Sequence, residues 1–420
     1  MEKVRTVAVA LALLSSLALA DSANAAAQYV VTDLGTLGAP LGSAAYAIND
    51  EGQVVGNSVN SAGYRDPFLW TPKTPNGTSG TMQDLGGLGG DAGSADGINN
   101  SGQVVGYSLT PSYDQHAFLW TPGGTAGPPG NTQMEDLSAW AGSGSYVKSA
   151  TGINSSGQIT GDVYYLSTGA VISYLWSPTT PNGANGSLQT LGTLSPNASG
   201  SLAYGTNNSG QVVGFSPLSP NGTPNPPETP AYLWTPGGTA GPSSNPQMEN
   251  LGTLTGSGNA VATAVNNDGW ITGHSTNSSG ETVPFLWKPA TPNGTTGEMI
   301  DLGSLGGSQS YGYGINDSGQ IVGSSTLSNG APDAFIYQNG SMTDLNTLIP
   351  ADSGWHLVAA TGINRLGQIV GYGIHTGNGS QEGFLLTPVA VPEPSGISLG
   401  VLVGCLSLLF RWRLPARSRA

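Results

Sequence analysis

One nine-residue segment occurs seven times in this chain, at intervals of 48 to 59 residues. It reads INDEGQVVG from Ile48, INNSGQVVG from Ile98, INSSGQITG from Ile153 and TNNSGQVVG from Thr206. It recurs as VNNDGWITG from Val265, INDSGQIVG from Ile315 and INRLGQIVG from Ile363. Self-similarity at such a period means one supersecondary unit copied into a solenoid, a propeller or an array. The repeat therefore constrains architecture before any single residue constrains chemistry.

Each unit holds four strand-like pieces in a fixed order, in the first copy Ser43–Ile48, Gln53–Asn57, Pro67–Thr71 and Met82–Leu85. Short strands set between Gly, Asn and Pro clusters predict an all-β array, and four strands per unit is the size of a propeller blade. The first piece is small at its centre, as in Ala45-Tyr46-Ala47 and Ala150-Thr151-Gly152, which suits an innermost strand crowding toward an axis. The third carries an aromatic anchor, from Phe68-Leu69-Trp70 to Phe285-Leu286-Trp287, fading to Phe335-Ile336-Tyr337 and Phe384-Leu385-Leu386. Large rings there fill the space between adjacent sheets.

Counting predicts how the array ends. Seven aromatic strands are followed by only six copies of the fourth piece, such as Asp84-Leu85-Gly86. The seventh stands at the front, in Tyr29-Val30-Val31-Thr32-Asp33-Leu34-Gly35. A solenoid has no use for this offset, whereas a closed ring does, because closure removes exposed edges. The expectation is a seven-bladed β-propeller of four-stranded blades over residues 26–390, with the N-terminal strand pairing into the last blade.

The repeated turn has a backbone rationale. Asn49, Asn99, Asn154, Asn207, Asn266, Asn316 and Asn364 occupy the first turn position. Gly52, Gly102, Gly157, Gly210, Gly269, Gly319 and Gly367 occupy the fourth, where a positive φ closes a bulged hairpin. Asn and Asp beside Gly also suggest calcium, but EF-hand spacing with its distant Glu is missing, so no metal is expected.

The two ends read as addresses. Lys3 and Arg5 precede an apolar run from Val7 to Ala20, with small-residue cleavage sites ending at Ala20 and Ala25, the pattern of a secretory signal peptide over residues 1–25. At the other end Pro392-Glu393-Pro394 is followed by an apolar stretch, Ile397–Phe410, and then by Arg411, Arg413, Arg417 and Arg419. This tail, residues 391–420, resembles the PEP-CTERM sorting signal of Gram-negative bacteria. The resemblance implies a transient C-terminal membrane anchor, export machinery and an exosortase-type sorting protease as partners, and release to the cell surface or exopolysaccharide layer. Within the repeats, Gln115-His116-Ala117-Phe118-Leu119-Trp120 followed by Met134-Glu135-Asp136-Leu137 resembles the HAF extracellular repeat. That likeness runs from about Tyr29 to Pro388, although only the second unit keeps the His, and it implies export and repetition without any activity.

Chemistry is sparse. The sequence holds 25 acidic against 11 basic residues, and only Arg65, Lys73, Lys148, Lys288 and Arg365 are basic between positions 21 and 394. A nucleic-acid binder needs a basic face, so that class is excluded. The single cysteine, Cys405, lies in the tail and leaves no disulfide for the repeats. His116, His274, His356 and His375 lack metal-ligand spacing and read as loop or rim residues. No nucleophile elbow or phosphate loop is present, and no cofactor is expected. An Asp recurs in the fourth piece at positions 33, 84, 136, 301 and 344, which marks it as structural. Acids found in one unit only are Asp96 on an innermost strand, and Asp66, Asp114, Asp162, Glu281, Asp333 and Glu382 in the loops after the second strand.

Function is expected where the copies differ. Tyr64, Tyr113, Tyr164, Tyr165, Trp355 and His375 fall in loops that strand order sends to one face, and aromatic rings beside Asn, Asp and Gln suit carbohydrate. The expectation is an exported, surface-sorted, non-catalytic binding or matrix protein of the extracellular polysaccharide layer. The alternative is an extracellular glycan hydrolase or lyase, which needs two of the unique acids about 5–10 Å apart in the central funnel.

Overall fold

Twenty-eight strands and no α-helix make up the described residues of the computed structural model, which are 28–219, 228–377 and 379–389. The leader, the sorting motif and the apolar tail lie outside them. Among the described residues no helix is long and apolar enough to cross a membrane. Contacts group Tyr29–Thr387 as one unit, and the architecture below belongs to it.

The first unit shows the pattern. Strand β2 (Gly38–Ile48) pairs with β3 (Val54–Asn60), β3 with β4 (Arg65–Pro72), and β4 with β5 (Gly80–Asp84), all antiparallel. Four-stranded sheets of this order recur, and an eight-stranded sheet comprises two such sets joined by one parallel pairing, Thr282 with Gln309. The last sheet differs in origin. There β26 (Trp355–Ile363), β27 (Ile369–His375) and β28 (Gln381–Pro388) take their fourth strand from β1 (Tyr29–Asp33) at the other end of the chain.

The first strands follow one another in space as in sequence. They are β2, β6 (Gly93–Ile98), β10 (Ser145–Ile153), β14 (Leu202–Thr206), β18 (Ala260–Val265), β22 (Gly306–Ile315) and β26. Each contacts the next, and β26 contacts β2, so the circuit is closed.

Period-two alternation explains the aromatic motif. Phe68 and Trp70 point to one face of their sheet and pack with Val370 and Leu385 of the last one. Leu69 points to the other face, against Phe118 and Trp120 of the following sheet. The same exchange runs on through Leu119 with Tyr174 and Trp176, Leu175 with Tyr232 and Trp234, and Leu233 with Phe285 and Trp287. The apolar core is therefore a series of inter-sheet wedges, and the interface that closes the circuit is built like the rest.

The glycine ending each repeated segment has a steric cause. Gly56 lies against β2 so closely that a Cβ would run into the Ala44 carbonyl oxygen, and Gly371 meets Ala359 in the same way. The second strand sits flush on the first only without a side chain there.

Candidate functional site

Two rings of side chains face the space enclosed by the first strands. The ring at the turn end is uniform. In the first copy Gly52 has φ 79° and its N–H donates to the Asn49 carbonyl (3.1 Å). The Asn49 side chain is buried, and its Oδ1 accepts from the N–H groups of Glu51 and Gln53. Its Nδ2 donates to the carbonyl of Asn99, fifty residues on (3.0 Å). Every repeated Asn does the same toward the next: 99 to 154, 154 to 207, 207 to 266, 266 to 316 and 316 to 364. Asn364 returns to the Asn49 carbonyl at 3.1 Å. A buried amide needs partners for all its polar atoms, and these units supply them to one another. The repeated Asn is thus a bridge between units as well as a turn residue.

The second ring lies three residues before each Asn. There the pairing of first and second strands slips by one residue, between Ala45 and Ala47 in the first copy and at the matching place in the other six. A β-bulge leaves one residue unpaired and re-aims its side chain. The bulged residues are Tyr46, Tyr204 and Tyr313, Thr151, Thr263 and Thr361, and Asp96, and all line one cavity of about 610 Å³. Val261, His274 and Tyr372 complete its wall. The threonines are engaged: Thr151, Thr263 and Thr361 donate to the carbonyls of Ala203, Gly312 and Ala45 on the neighbouring first strand. Tyr46 accepts from Asn57 Nδ2 at 3.2 Å. Small residues still flank each bulge, but its centre admits a tyrosine because it points into open space rather than at a neighbouring strand.

Burial sets the protonation of this wall. It pushes the Asp96 carboxyl up to about 6, against a 2.6 Å hydrogen bond from Ser94 Oγ that favours the charged form. It lowers His274 to about 4, leaving the imidazole neutral at pH 7, edge-on to Tyr311 (centroids 4.9 Å). It raises Tyr313 to about 12, with Tyr372 and Tyr311 as nearby like charges adding to the effect. Among the described residues lining the cavity, Asp96 is the single carboxylate and no Lys or Arg occurs.

The other sequence-marked residues lie elsewhere. None of Tyr64, Tyr113, Tyr164, Trp355 and His375 lines the cavity. Trp355 and His375 are brought together (5.5 Å, edge-on), but Trp355 also packs on Phe384 and the last core wedge. Tyr164 meets Tyr146 at 5.4 Å, and Tyr146 meets His116 at 5.5 Å. Tyr64 and Tyr113 are exposed without a ring partner among the described residues, and Tyr113 has φ 64° in a tight turn.

The histidines, expected as loop or rim residues, and Tyr164, Tyr165 and Trp355, expected in loops, all lie in strands. His116 lies in β8 (Gln115–Trp120), His274 in β19 (Ile271–Thr276), His356 in β26 and His375 in β27. His116 bonds Asp136 at 3.0 Å and His356 bonds buried Asp333 at 2.6 Å. Several unique acids move likewise: Asp66 is in β4, Asp162 in β11 (Ile159–Tyr165), Asp333 in β24 (Pro332–Gln338) and Glu382 in β28. The reason is that the second strand runs on past its glycine and the hairpin loop is shorter than the sequence suggests. The recurrent Asp ends the fourth strand, as where Asp84 accepts from the Gly86 N–H at 2.7 Å and Asp301 from Gly303 at 2.8 Å.

Comparison with known proteins adds little chemistry. The model of a family described as "Protein of unknown function (DUF3466)" matches residues 189–388. No curated protein matches the chain. Among solved structures, AofleA from Arthrobotrys oligospora is similar at 11% identity over 75% of this chain and 87% of its own, with a TM-score of 0.38. The Aleuria aurantia lectin, titled a six-bladed β-propeller with a novel fucose recognition mode, is 11% identical over 71% of this chain and 95% of its own, with a TM-score of 0.32. At these scores neither a blade number nor a ligand carries over to this chain.

Proposed function

We propose that the chain is an exported, closed seven-bladed β-propeller that binds a ligand in its central channel, as a non-catalytic protein of the extracellular polysaccharide layer. The observation that carries the reading is the bulge ring. One position in every unit escapes the ladder, and there the copies diverge into Tyr, Thr and a lone Asp around a cavity of about 610 Å³. Rings on several sides with few polar groups suit the faces of a sugar. The Asn circuit and the borrowed strand β1 support seven-fold closure. Export rests on the N-terminal leader pattern, and surface sorting on the Pro392-Glu393-Pro394 tail resembling PEP-CTERM, with an exosortase-type protease as its processing partner.

The hydrolase alternative asks for two carboxyls across a scissile bond, and among the described residues the cavity wall offers Asp96 alone. The test is calorimetric titration of the purified protein with exopolysaccharide from its own host, with released reducing ends followed over time. Saturable binding that is weakened by Tyr313→Ala and Tyr204→Ala, without release of reducing ends, is expected. Binding indifferent to both substitutions overturns the channel as the site, and cleavage overturns the non-catalytic reading.

A further inference from the structure

The channel is uneven in charge. Six bulges carry Tyr or Thr, so the backbone does not require an acid at the seventh, yet Asp96 stands there. Its carboxylate accepts from Ser94 Oγ, and among the described residues no Lys or Arg lines the cavity with it. Arg65 lies outside that lining and donates to Asn57 Oδ1 at 2.8 Å, the amide whose Nδ2 in turn donates to Tyr46. A carboxylate withdrawn from water without a cationic partner destabilises the fold that holds it.

The rings beside it are arranged around one side. Asp96 comes from the second sheet, Tyr46 from the first, Tyr372 from the last and Tyr313 from the sheet before that, so the four are consecutive around the closed circuit. Aromatic faces attract ammonium groups, most strongly where water is excluded. His274, in the unit next to that of Tyr313 and edge-on to Tyr311, is held neutral and adds no repulsion, and the chain's net charge of −14 draws cations toward it.

We propose that the channel takes an ammonium group, its charge set against the Asp96 carboxylate and its C–H and N–H groups against the rings of Tyr46, Tyr313 and Tyr372. This rests on the binding reading above and names its ligand class: an amino sugar of the extracellular polymer, with its amine free, rather than a neutral or acidic sugar. No bond is made or broken, and the ammonium replaces water and counterions in the channel.

The test titrates the full chain with glucosamine oligomers and, separately, with the same oligomers N-acetylated, which removes the charge and keeps the sugar. The amine form is expected to bind, the acetylated form to bind at least about tenfold more weakly, and Asp96→Asn to remove most of that difference. Asp96→Asn preserves size and an acceptor for Ser94, and its thermal melt confirms that the variant is folded. Equal binding of the two oligomers, or an amine preference that survives Asp96→Asn, overturns the ammonium inference while leaving the channel as a binding site. Absence of amine-oligomer binding also overturns it, whereas failure of the channel reading shows separately, as host-polymer binding indifferent to Tyr313→Ala and Tyr204→Ala.

Discussion

The Asn ring and the bulge ring face the same axis three residues apart, and they are opposite in kind. At the turn end every copy carries the same side chain making the same bonds to the next copy. At the bulges the copies carry three residue types, of which the threonines bond the first strand of the next unit. A side chain that must satisfy a buried carbonyl of the next unit cannot vary, because an unpaired partner is costly. A side chain that need only fit an enclosed space can. Sequence uniformity here marks where units are joined, and divergence marks where the enclosed space is shaped.

That contrast can be broken from either side. The largest effect is expected from Asn154→Ala, which strands the N–H groups of Ser156 and Gln158 and removes the bond from the neighbouring unit to the Asn207 carbonyl, leaving it only its own turn. A loss of about 3 kcal/mol is expected by chemical denaturation. Asn364→Ala, at the junction of the two chain ends, should cost the same; a distinctly larger loss would make the closing seam the weak point of the circuit.

Asp96→Asn should move stability the other way. The folded protein holds this carboxyl at about 6 against an ordinary 3.8, so it binds the proton more tightly than the unfolded chain does. The resulting stabilisation is complete below pH 3.8 and is lost as pH rises through about 6. Replacement by Asn should therefore raise stability by about 2 kcal/mol at pH 7, with the gain vanishing near pH 4. Equal stability of the two proteins at pH 7 would mean that the carboxylate is well solvated.

Thr361→Val keeps shape and removes a 2.9 Å bond to the Ala45 carbonyl, for an expected loss of about 1 kcal/mol in a thermal melt. The smallest change in stability belongs to Tyr204→Ala, whose ring is among the exposed large apolar groups: under about 1 kcal/mol. Its signature should instead be weaker ligand binding in the titration above. A large loss of stability on Tyr204→Ala would place the bulge ring with the scaffold and erase the distinction between the rings.

Much of the architecture was legible because repetition exposes it. Phe68-Leu69-Trp70 announces a strand with two buried faces, and the fourth piece displaced to Tyr29–Leu34 anticipates the pairing of β1 with β28. The site was legible only in part. Asp96 stood out as an acid of one unit on a first strand, but Tyr46 was hidden in a run of small residues and Tyr372 just past the repeated segment. Exposed loop aromatics such as Tyr64 and Tyr113 drew attention because loops diverge, yet they do not face the cavity.

By itself the sequence determined the strand order, the turn with its positive-φ glycine and the offset of the first strand, because these follow from spacing and backbone geometry within one unit. Only the tertiary structure decided that the repeated Asn bridges units, and that one residue per unit is turned into a common cavity. Both depend on a neighbour some fifty residues away and on a one-residue slip in register, and neither leaves a local pattern in the chain.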